Sequence, residues 1–590
     1  MVVKPTVGID LGTTNTFVAR VNPACHTEML RDREGSQRVP SLVLLEDNSF
    51  YVGEEARLRA VSRPDRLLSC FKRHLGGSSP VPSVAGVFLP AEVVQACILA
   101  RVRDDVVRRV GTDFGTVIAV PSFFRDPQRK ATADAGEIAG LEVLDLVNEP
   151  VAAALAFSEH TGFLSPGASP RDKLNLLVFD LGGFSFNVTL LEVQEGGLKT
   201  VAADYDLHLG GHDWDFRLAD YVAEQFAQRF GDDPRRDQAG RDALLSRAER
   251  AKRSLGLRHV TTVSLLRGSR PLEVSVTLEQ FQSLTADLLD RTRTMTNRLL
   301  QGAGLGWRNI ARVLLVGGAT RMPAVRRMLA DLSGREPDHT VHPEEAVARG
   351  AAIYASQLQA TATVLGQTPR FQVTNIAAHS LGVLGTDPQS GRKVNKILIP
   401  RGTPLPTKVT RKFVPGIGPH RAITIVVVEG ESPDGDDCTI IGRATIDQLP
   451  AEINQEWPVD VTYEYTASGR LNVEVRVRYT DRAVHLALVR ATGLSRAQIR
   501  AWKELVTAGA GLTAMGALVN RERHPPIAVA STGEPAAEEG SSLSALAQRY
   551  ATYLLRAWRS RPATAETTAE KPAPAAAADT QPAPPPHDAS

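Results

Sequence analysis

The stretch that decides the fold is VGIDLGTTNTFV, residues 7–18, which recurs without a gap as LVFDLGGFSFNV, residues 177–188. Both copies are typical of an apolar strand, a tight turn that begins with Asp-Leu-Gly, and a second strand. An internal repeat constrains the architecture more than any single motif does. We therefore expect two related folding units in the N-terminal part of the chain.

Two further pairs of segments follow in the same order. Residues 117–120 lead into a helical pattern at 127–139, and residues 313–316 lead into one at 323–332. Both patterns are typical of a buried strand that feeds a helix. Pro150 and Pro343 each begin a run rich in small residues, which predicts helices opened by proline whose axes can approach closely. Residues 1 to about 360 are thus predicted to form two copies of one α/β unit packed around a cleft.

Composition excludes several classes of protein. The chain has 590 residues, 43% of them hydrophobic and 23% charged, with a formal net charge of +2. This near-neutral balance predicts neither a nucleic-acid nor a membrane partner. The four cysteines lack the spacing of a disulfide framework or a zinc site. Residues 1–7 lack the long apolar run typical of a signal peptide, and no stretch reaches the roughly 20 apolar residues needed to span a bilayer. A soluble, cytoplasmic protein of three or four domains is expected.

The C-terminal part has a different pattern. Residues 422–428 and 471–477 alternate as strands do, and no long helical pattern separates them. A β-sandwich-like domain is therefore predicted from about 371 to 490. Helical stretches are expected at 495–507 and 543–558, and the last thirty residues, mostly Ala, Pro and Thr, are expected to be disordered.

The paired Asp-Leu-Gly loops have the chemistry of a phosphate site. Their backbone N–H groups can cradle phosphate oxygens, and the carboxylates of Asp10 and Asp180 can hold water on Mg²⁺. One such loop alone is better explained as an ordinary turn. Two loops in matching register favour ATP, because they would approach the β- and γ-phosphates from opposite sides. The chain has no GxxxxGK[ST] run and is therefore not a P-loop protein.

On these and further motifs the chain resembles the DnaK-type seventy-kilodalton heat-shock chaperones. The resemblance is strong over the first 360 residues and looser in the β domain, where SLG at 380–382 and PLPTK at 404–408 carry it. The motifs of the first part are GIDLGTTNT at 8–16, VPSFF at 120–124, NEP at 148–150, HLGG at 208–211, ERAKR at 249–253 and VGGATRMP at 316–323.

The resemblance implies a multidomain fold and a function. The expected domains are an actin-like, duplicated ribonuclease-H-like ATPase domain at 1–366, a linker at 367–375, a β-sandwich peptide-binding domain at 376–490, a short helical lid at 491–560 and a disordered tail at 561–590. The implied function is ATP-regulated binding of exposed apolar peptide segments. ATP or ADP, Mg²⁺ and K⁺ are the implied cofactors. Client polypeptides, a J-domain co-chaperone and a nucleotide-exchange factor are the implied partners.

The same resemblance implies roles in the nucleotide site. Lys72 would contact the γ-phosphate and Glu149 would orient the attacking water, while Asp10 and Asp180 would hold the metal through water. On spacing alone Lys72 could be a solvated surface lysine and Glu149 a helix-start residue favoured by the helix dipole. The residues implied to contact nucleotide are Gly12, Thr13, Thr14, Asn15, Gly182, Gly183, Ser185, Glu249, Lys252, Arg253, Gly317, Gly318, Arg321 and Glu344.

Other implied roles lie outside the cleft. Pro121 and Arg129 match the pair that relays nucleotide state outward. Val383, Phe413 and Ile423 match residues of the peptide groove, although buried strand residues at these positions could simply belong to the core. Without the resemblance, residues 249, 252 and 253 are most simply an exposed ion-pair stripe on one helix.

The sequence also departs from the family pattern. Phe184 replaces a glycine whose positive φ a phenyl-bearing residue disfavours, and Asn187 replaces a carboxylate near the metal. Losing one such contact typically slows a reaction by about 10²–10³, so we expect binding with weak hydrolysis. Gly256 and Ala319 lack hydroxyls expected near the adenosine, and Phe371 is the linker's only predicted apolar anchor. A nucleotide-binding scaffold or holdase with little or no hydrolysis is the alternative.

Overall fold

The computed structural model describes residues 4–77, 81–162, 173–194, 197–363, 371–387, 389–414, 423–446, 458–467, 469–477, 483–486, 489–490 and 493–523. All of them belong to the first of two compact units, Met1–Pro526. The helix expected at 543–558 and the tail expected at 561–590 lie outside the described residues. Among the described helices, none combines the length and the apolarity needed to cross a bilayer.

The predicted repeat forms two sheets of matching topology. In each sheet the strand that leads into Asp-Leu-Gly pairs antiparallel with the strand that follows it, so that Asp10 lies opposite Phe17 and Asp180 opposite Asn187. The same strand pairs in parallel with a later one on its other side. The first sheet has the strand order Thr27–Met29, Asn15–Val21, Thr6–Leu11, Gly115–Val120, Glu142–Asn148. The second sheet has the order Ile310–Val316, Leu174–Leu181, Phe186–Gln194, Gly197–Asp206, Gln372–Thr374.

Helices cover these sheets and separate them. We call residues 4–162 the first lobe and residues 173–345 the second lobe. Smaller elements include the hairpin Val260–Arg267 with Arg270–Thr277, the three-stranded sheet Phe50–Val52, Val43–Leu45, Leu67–Leu68, and the short strand Val39–Pro40. The helices are Glu54–Arg59, Ala91–Val110, Asp126–Ile138, Glu149–Thr161, Gly211–Phe230, Gln238–Leu255, Leu278–Leu284, Ala286–Gly302, Pro323–Ser333 and Ala346–Thr363.

The two helices rich in small residues pack against each other between the sheets. A Cβ atom on Gly350 would lie 1.6 Å from the Ala152 carbonyl oxygen, so only glycine permits this approach. One prediction was wrong in detail, because the second helix begins at Ala346 and not at Pro343. Residues 343–345 instead form a turn, in which the Pro343 carbonyl accepts a hydrogen bond from Gly317 N at 3.0 Å.

The β-sandwich consists of two sheets with one shared core. Alternation along Leu471–Val477 places every second residue in that core, as the sequence predicts. Tyr463 is fully buried between the sheets and donates a hydrogen bond to the Gly382 carbonyl at 2.8 Å. One sheet has the strand order Lys393–Ile399, Leu381–Thr386, Ile423–Glu429, Thr439–Ile446, Val489–Arg490. The other has the order Thr407–Phe413, Val459–Tyr465, Leu471–Val477, Ala483–Leu486.

The linker is docked on the second lobe. Gln372–Thr374 adds a parallel strand to the sheet, with Val373 opposite Leu198. Phe371 is buried in the core between the lobes, and Val373 also packs against it. The expectation that Phe371 is the only apolar anchor was therefore wrong, since both Val373 and the backbone pairing contribute to docking.

Two helices follow the sandwich, Arg496–Thr507 and Leu512–Arg523, and we call them the lid helices. The first was predicted and the second was not. Both pack into the core of the first lobe, where Trp502 and Met515 are fully buried. The turn between them is also attached to this lobe, because Leu512 N donates to the Glu46 carbonyl at 2.7 Å.

Candidate nucleotide site

The two phosphate loops, residues 10–16 and 180–187, meet across the cleft. A Cβ atom on Gly183 would lie 2.4 Å from Thr14 Oγ1, which shows how closely the loops approach. Ser41 holds the first loop by donating to the Gly12 carbonyl at 2.7 Å. The turns at Gly12–Asn15 and Gly182–Ser185 are thus brought together, as the repeat predicts.

The start of helix Gly211–Phe230 fixes the second loop. Gly211 N donates to the Gly182 carbonyl at 2.9 Å, and His212 N donates to the Gly183 carbonyl at 2.8 Å. A Cβ atom on Gly210 would lie 2.5 Å from the backbone of Phe184. The HLGG motif at 208–211, to which the sequence alone assigns no role, therefore supports the second phosphate loop.

Phe184 causes no backbone strain. Among the described residues the non-glycine positions with positive φ are Cys25, Cys70 and Ala85, so Phe184 keeps an ordinary negative φ. The expectation that residue 184 needs the positive φ typical of glycine was wrong, because the loop turns here with a negative φ.

A cluster of charged side chains lies beneath the loops. Lys72 Nζ lies 3.1 Å from Glu149 Oε1, and both side chains are only about a tenth exposed. Burial, and then the charge of Glu149, raise the pKa of Asp10 to about 8 and that of Asp180 to about 7. Carboxylates in this situation gain stability when a cation joins them, so the cluster fits Mg²⁺ held by oxygen ligands or their waters.

Asn187 takes part in this cluster. Its Nδ2 donates to Asp180 Oδ2 at 3.3 Å, which lowers the pKa of Asp180 against the effect of burial. Its Oδ1 is buried and finds no hydrogen-bond partner among the described residues. Asn187 lines a narrow crevice together with Ser122, Glu149 and Thr189. Asn187 thus offers a hydrogen-bond acceptor near Asp180 but no negative charge.

The residues expected around the adenosine are divided between two groups. Lys252 Nζ donates to the Gly211 carbonyl at 2.6 Å and lies 2.8 Å from Asp215, so it supports the second phosphate loop. Glu249 and Arg253 form an exposed ion pair at 2.6 Å. The ion-pair interpretation thus describes two of the three helical residues.

Arg321 and Glu344 form the second group, with Arg38. Glu344 lies 3.0 Å from Arg38 and 3.6 Å from Arg321, which also contacts His342 at 2.8 Å. Gly318 adjoins the Glu344 side chain, and Gly317, at φ 84°, adjoins Leu181 of the second loop. The sequence patterns did not identify Arg38, because it lies outside every motif.

A chain of hydrogen bonds leads from the cleft to the β domain. Arg129 donates to Asn148 Oδ1 at 2.6 Å and to the carbonyl of Phe124, whose N–H in turn bonds to Pro121 O. Asn148 adjoins Glu149 and donates to Asn375 of the linker at 2.9 Å. Asn375 donates to Ala467 O in the β domain at 3.1 Å. The two asparagines were missed, because their pairing depends on the docked linker.

The residues matched to the peptide groove lie in or against the sandwich core. Val383 and Ile423 are buried, and Phe413 packs against the core while partly exposed. Of the three, Phe413 has the side chain that a bound segment could reach.

Fold and site together define the class: a duplicated, actin-like nucleotide-binding domain joined through a docked linker to a β-sandwich and lid helices. The family model described as Hsp70 protein matches residues 6–86 and 79–508, and the chain belongs to this family. It is 34% identical over 524 residues to the chaperone protein DnaK of Thermus thermophilus, covering 84% of this chain and 82% of that protein. The chaperone protein DnaK of Halobacterium salinarum is 34% identical over 505 residues, covering 84% and 77%.

Proposed function

We propose that the protein is an ATP-dependent molecular chaperone that binds exposed apolar segments of unfolded polypeptides in its β domain. The observation that carries this proposal is the hydrogen-bonded path from Asn148, beside Glu149, through Asn375 to Ala467. A ligand that moves the cleft wall would change this path, and coupling requires such a difference in contacts.

The cleft is suited to slow hydrolysis of ATP. Lys72 would place its ammonium against the terminal phosphate, and Glu149, held by Lys72, would orient water toward it. Mg²⁺ would neutralise phosphate charge, with Asp10 and Asp180 holding it through water. We expect the activity to be weak, because the neutral Asn187 leaves one negative charge fewer to hold the metal. K⁺ is a further candidate cation for the crevice beside Asn187.

The test is the effect of ATP on a bound fluorescent apolar peptide. ATP with Mg²⁺ should raise the peptide's dissociation rate at least about tenfold. Asn375→Ala should reduce this effect while leaving ATP affinity unchanged. The exposed Asn309→Ala is the matched control. Full ATP sensitivity in N375A, or none in the unaltered protein, would contradict the proposal.

A scaffold or holdase that binds nucleotide without hydrolysing it is the second candidate, favoured by Asn187. Single-turnover measurements separate the two. Hydrolysis that disappears in Lys72→Ala and increases in Asn187→Asp supports the enzyme. Tight ATP binding without detectable hydrolysis supports the scaffold.

Partners and location complete the proposal. A J-domain co-chaperone and a nucleotide-exchange factor are proposed to regulate the cycle, as the family membership suggests. A cytoplasmic location is consistent with the four free cysteines, Cys25, Cys70, Cys97 and Cys438.

A further inference from the structure

Arg73 bridges the two lobes at the edge of the second phosphate loop. It belongs to the first lobe, one residue after Lys72, and its guanidinium lies 4.4 Å from the ring centroid of Phe184 in the second lobe. The same group donates to the carbonyls of Phe184 at 3.3 Å and Leu207 at 3.5 Å. One side chain therefore makes an aromatic contact and two hydrogen bonds across the cleft.

Both sides of this contact are held in place. Phe184 packs against His212 with ring centroids 4.5 Å apart, and His212 packs against Phe216 at 5.1 Å. The backbone of Phe184 rests on Gly210, as described above. On the other side, Arg73 lies in the 3₁₀ turn Phe71–His74, which also carries the paired Lys72. Neither partner can move far without moving a phosphate-contacting element.

The contact exists only while the lobes are close together. A guanidinium over an aromatic face is attracted by the ring quadrupole, and its hydrogen bonds to carbonyls require the same separation. Any opening of the cleft breaks all three interactions at once. They therefore stabilise the closed form relative to the open form.

We propose that Arg73 and Phe184 form an interlobe latch that slows the exit of bound nucleotide. The inference rests on the proposed nucleotide binding, and it gives Phe184 a positioning role instead of that of a damaged glycine position. It requires no hydrolysis, because a latch on the closed cleft retards ATP and ADP alike.

The dissociation rate of a fluorescent ADP analogue, measured by displacement from the full chain with Mg²⁺, tests the latch. Phe184→Leu keeps apolar bulk but loses the ring quadrupole, so the rate should rise about two- to fivefold. Arg73→Ala removes the hydrogen bonds as well and should raise it further. Adding F184L to R73A should raise the dissociation rate by less than F184L does alone, because both substitutions remove one shared contact.

Arg59→Ala is the matched control. Arg59 lies 3.7 Å above the Tyr51 ring, a contact of the same kind that is confined to the first lobe. Its removal should leave the dissociation rate unchanged. Unchanged rates in R73A and F184L, or strictly multiplicative effects in the double variant, overturn the latch while leaving nucleotide binding intact. Failure of the unaltered protein to bind the analogue overturns both the latch and the proposed function.

Discussion

Asn187 is the residue at which charge matters most in the second phosphate loop. It donates a hydrogen bond to Asp180 and lines one crevice with Glu149. Asn187 and Glu149 are buried, and Asp10 and Asp180 are partly buried. Burial has already raised the pKa values of both aspartates, which means that the cluster holds more negative charge than its surroundings stabilise. The neutral amide limits this repulsion in the absence of a cation.

Asn187→Asp should therefore have opposite effects with and without metal. Without Mg²⁺ and nucleotide, the added buried carboxylate should lower the free energy of unfolding by about 1–3 kcal/mol. With Mg²⁺ and ATP the loss should be recovered, and single-turnover hydrolysis should increase about tenfold or more. Thermal unfolding and hydrolysis measured in both conditions check this. Asn187→Ala is the control without charge. An equal loss of stability with and without Mg²⁺ would count against the charge argument.

Phe184 shows what residue types reveal and what they leave out. The repeat located both phosphate loops, because Asp-Leu-Gly at a strand end is a local signal. Whether position 184 needs a positive φ depends on Gly210 and the helix start, which no local pattern contains. Its partner Arg73 lies 111 residues away in the sequence. The loop was predictable, whereas the environment of its side chain was not.

At the scale of elements, the helix pair Glu149–Thr161 and Ala346–Thr363 controls the spacing of the two sheets. The sequence predicted close packing here, because small residues recur along both helices. The start of the second helix was not predictable from Pro343, since that proline is held in a turn by Gly317. The second lid helix was missed because its anchors, such as Glu46, lie in the first lobe.

Gly350→Ala tests the close approach of these helices. The new Cβ atom would overlap the Ala152 carbonyl, so the helices must separate, at a cost of about 1–3 kcal/mol in unfolding free energy or somewhat more. Thermal unfolding of the full chain measures this. Gly302→Ala is the control, because Gly302 is helical and a Cβ atom added there would meet nothing within 4 Å. It should be neutral or slightly stabilising. Equal behaviour of both variants would contradict tight packing at Gly350.

At the scale of the whole molecule, the docked arrangement of β domain, linker and first lobe depends on contacts that only the complete fold creates. The linker has no amphipathic pattern of its own, and the strand it pairs with, Gly197–Asp206, precedes it by well over a hundred residues. The β-sandwich itself was predictable from alternation. Its docking was not, because it depends on contacts between distant parts of the chain, such as that of Glu429 with Arg125.

Glu429 makes this docking sensitive to pH. It is 2% exposed, and its Oε2 has no hydrogen-bond partner among the described residues, although Arg125 Nε lies 3.7 Å away. Burial raises its pKa to about 8, Asp126 and Glu431 act in the same direction, and Arg125 and Arg129 oppose them. His379 lies in the same interface, where burial lowers its pKa below the ordinary value of 6.5.

The sign of the effect follows from proton binding. We expect undocking to expose Glu429, which would then lose its proton near its ordinary pKa of 4.5, whereas in the docked state it keeps the proton up to about pH 8. Docking therefore takes up a proton between these values, and raising the pH favours undocking. His379 has the opposite sign, but only near and below pH 6.5, because above that range it is neutral in both states.

The window from pH 7 to pH 8 therefore separates the titration of Glu429 from that of His379. The docking equilibrium constant should fall about fivefold across it, as expected for one group with a docked pKa near 8. Energy transfer between dyes on the N-terminal and β domains measures the docked fraction. Glu429→Gln cannot titrate and should show a flat profile with docking retained at pH 8, while the exposed Glu464→Gln should behave like the unaltered protein. A pH dependence that persists in E429Q would assign the proton to another group and refute this account of the interface.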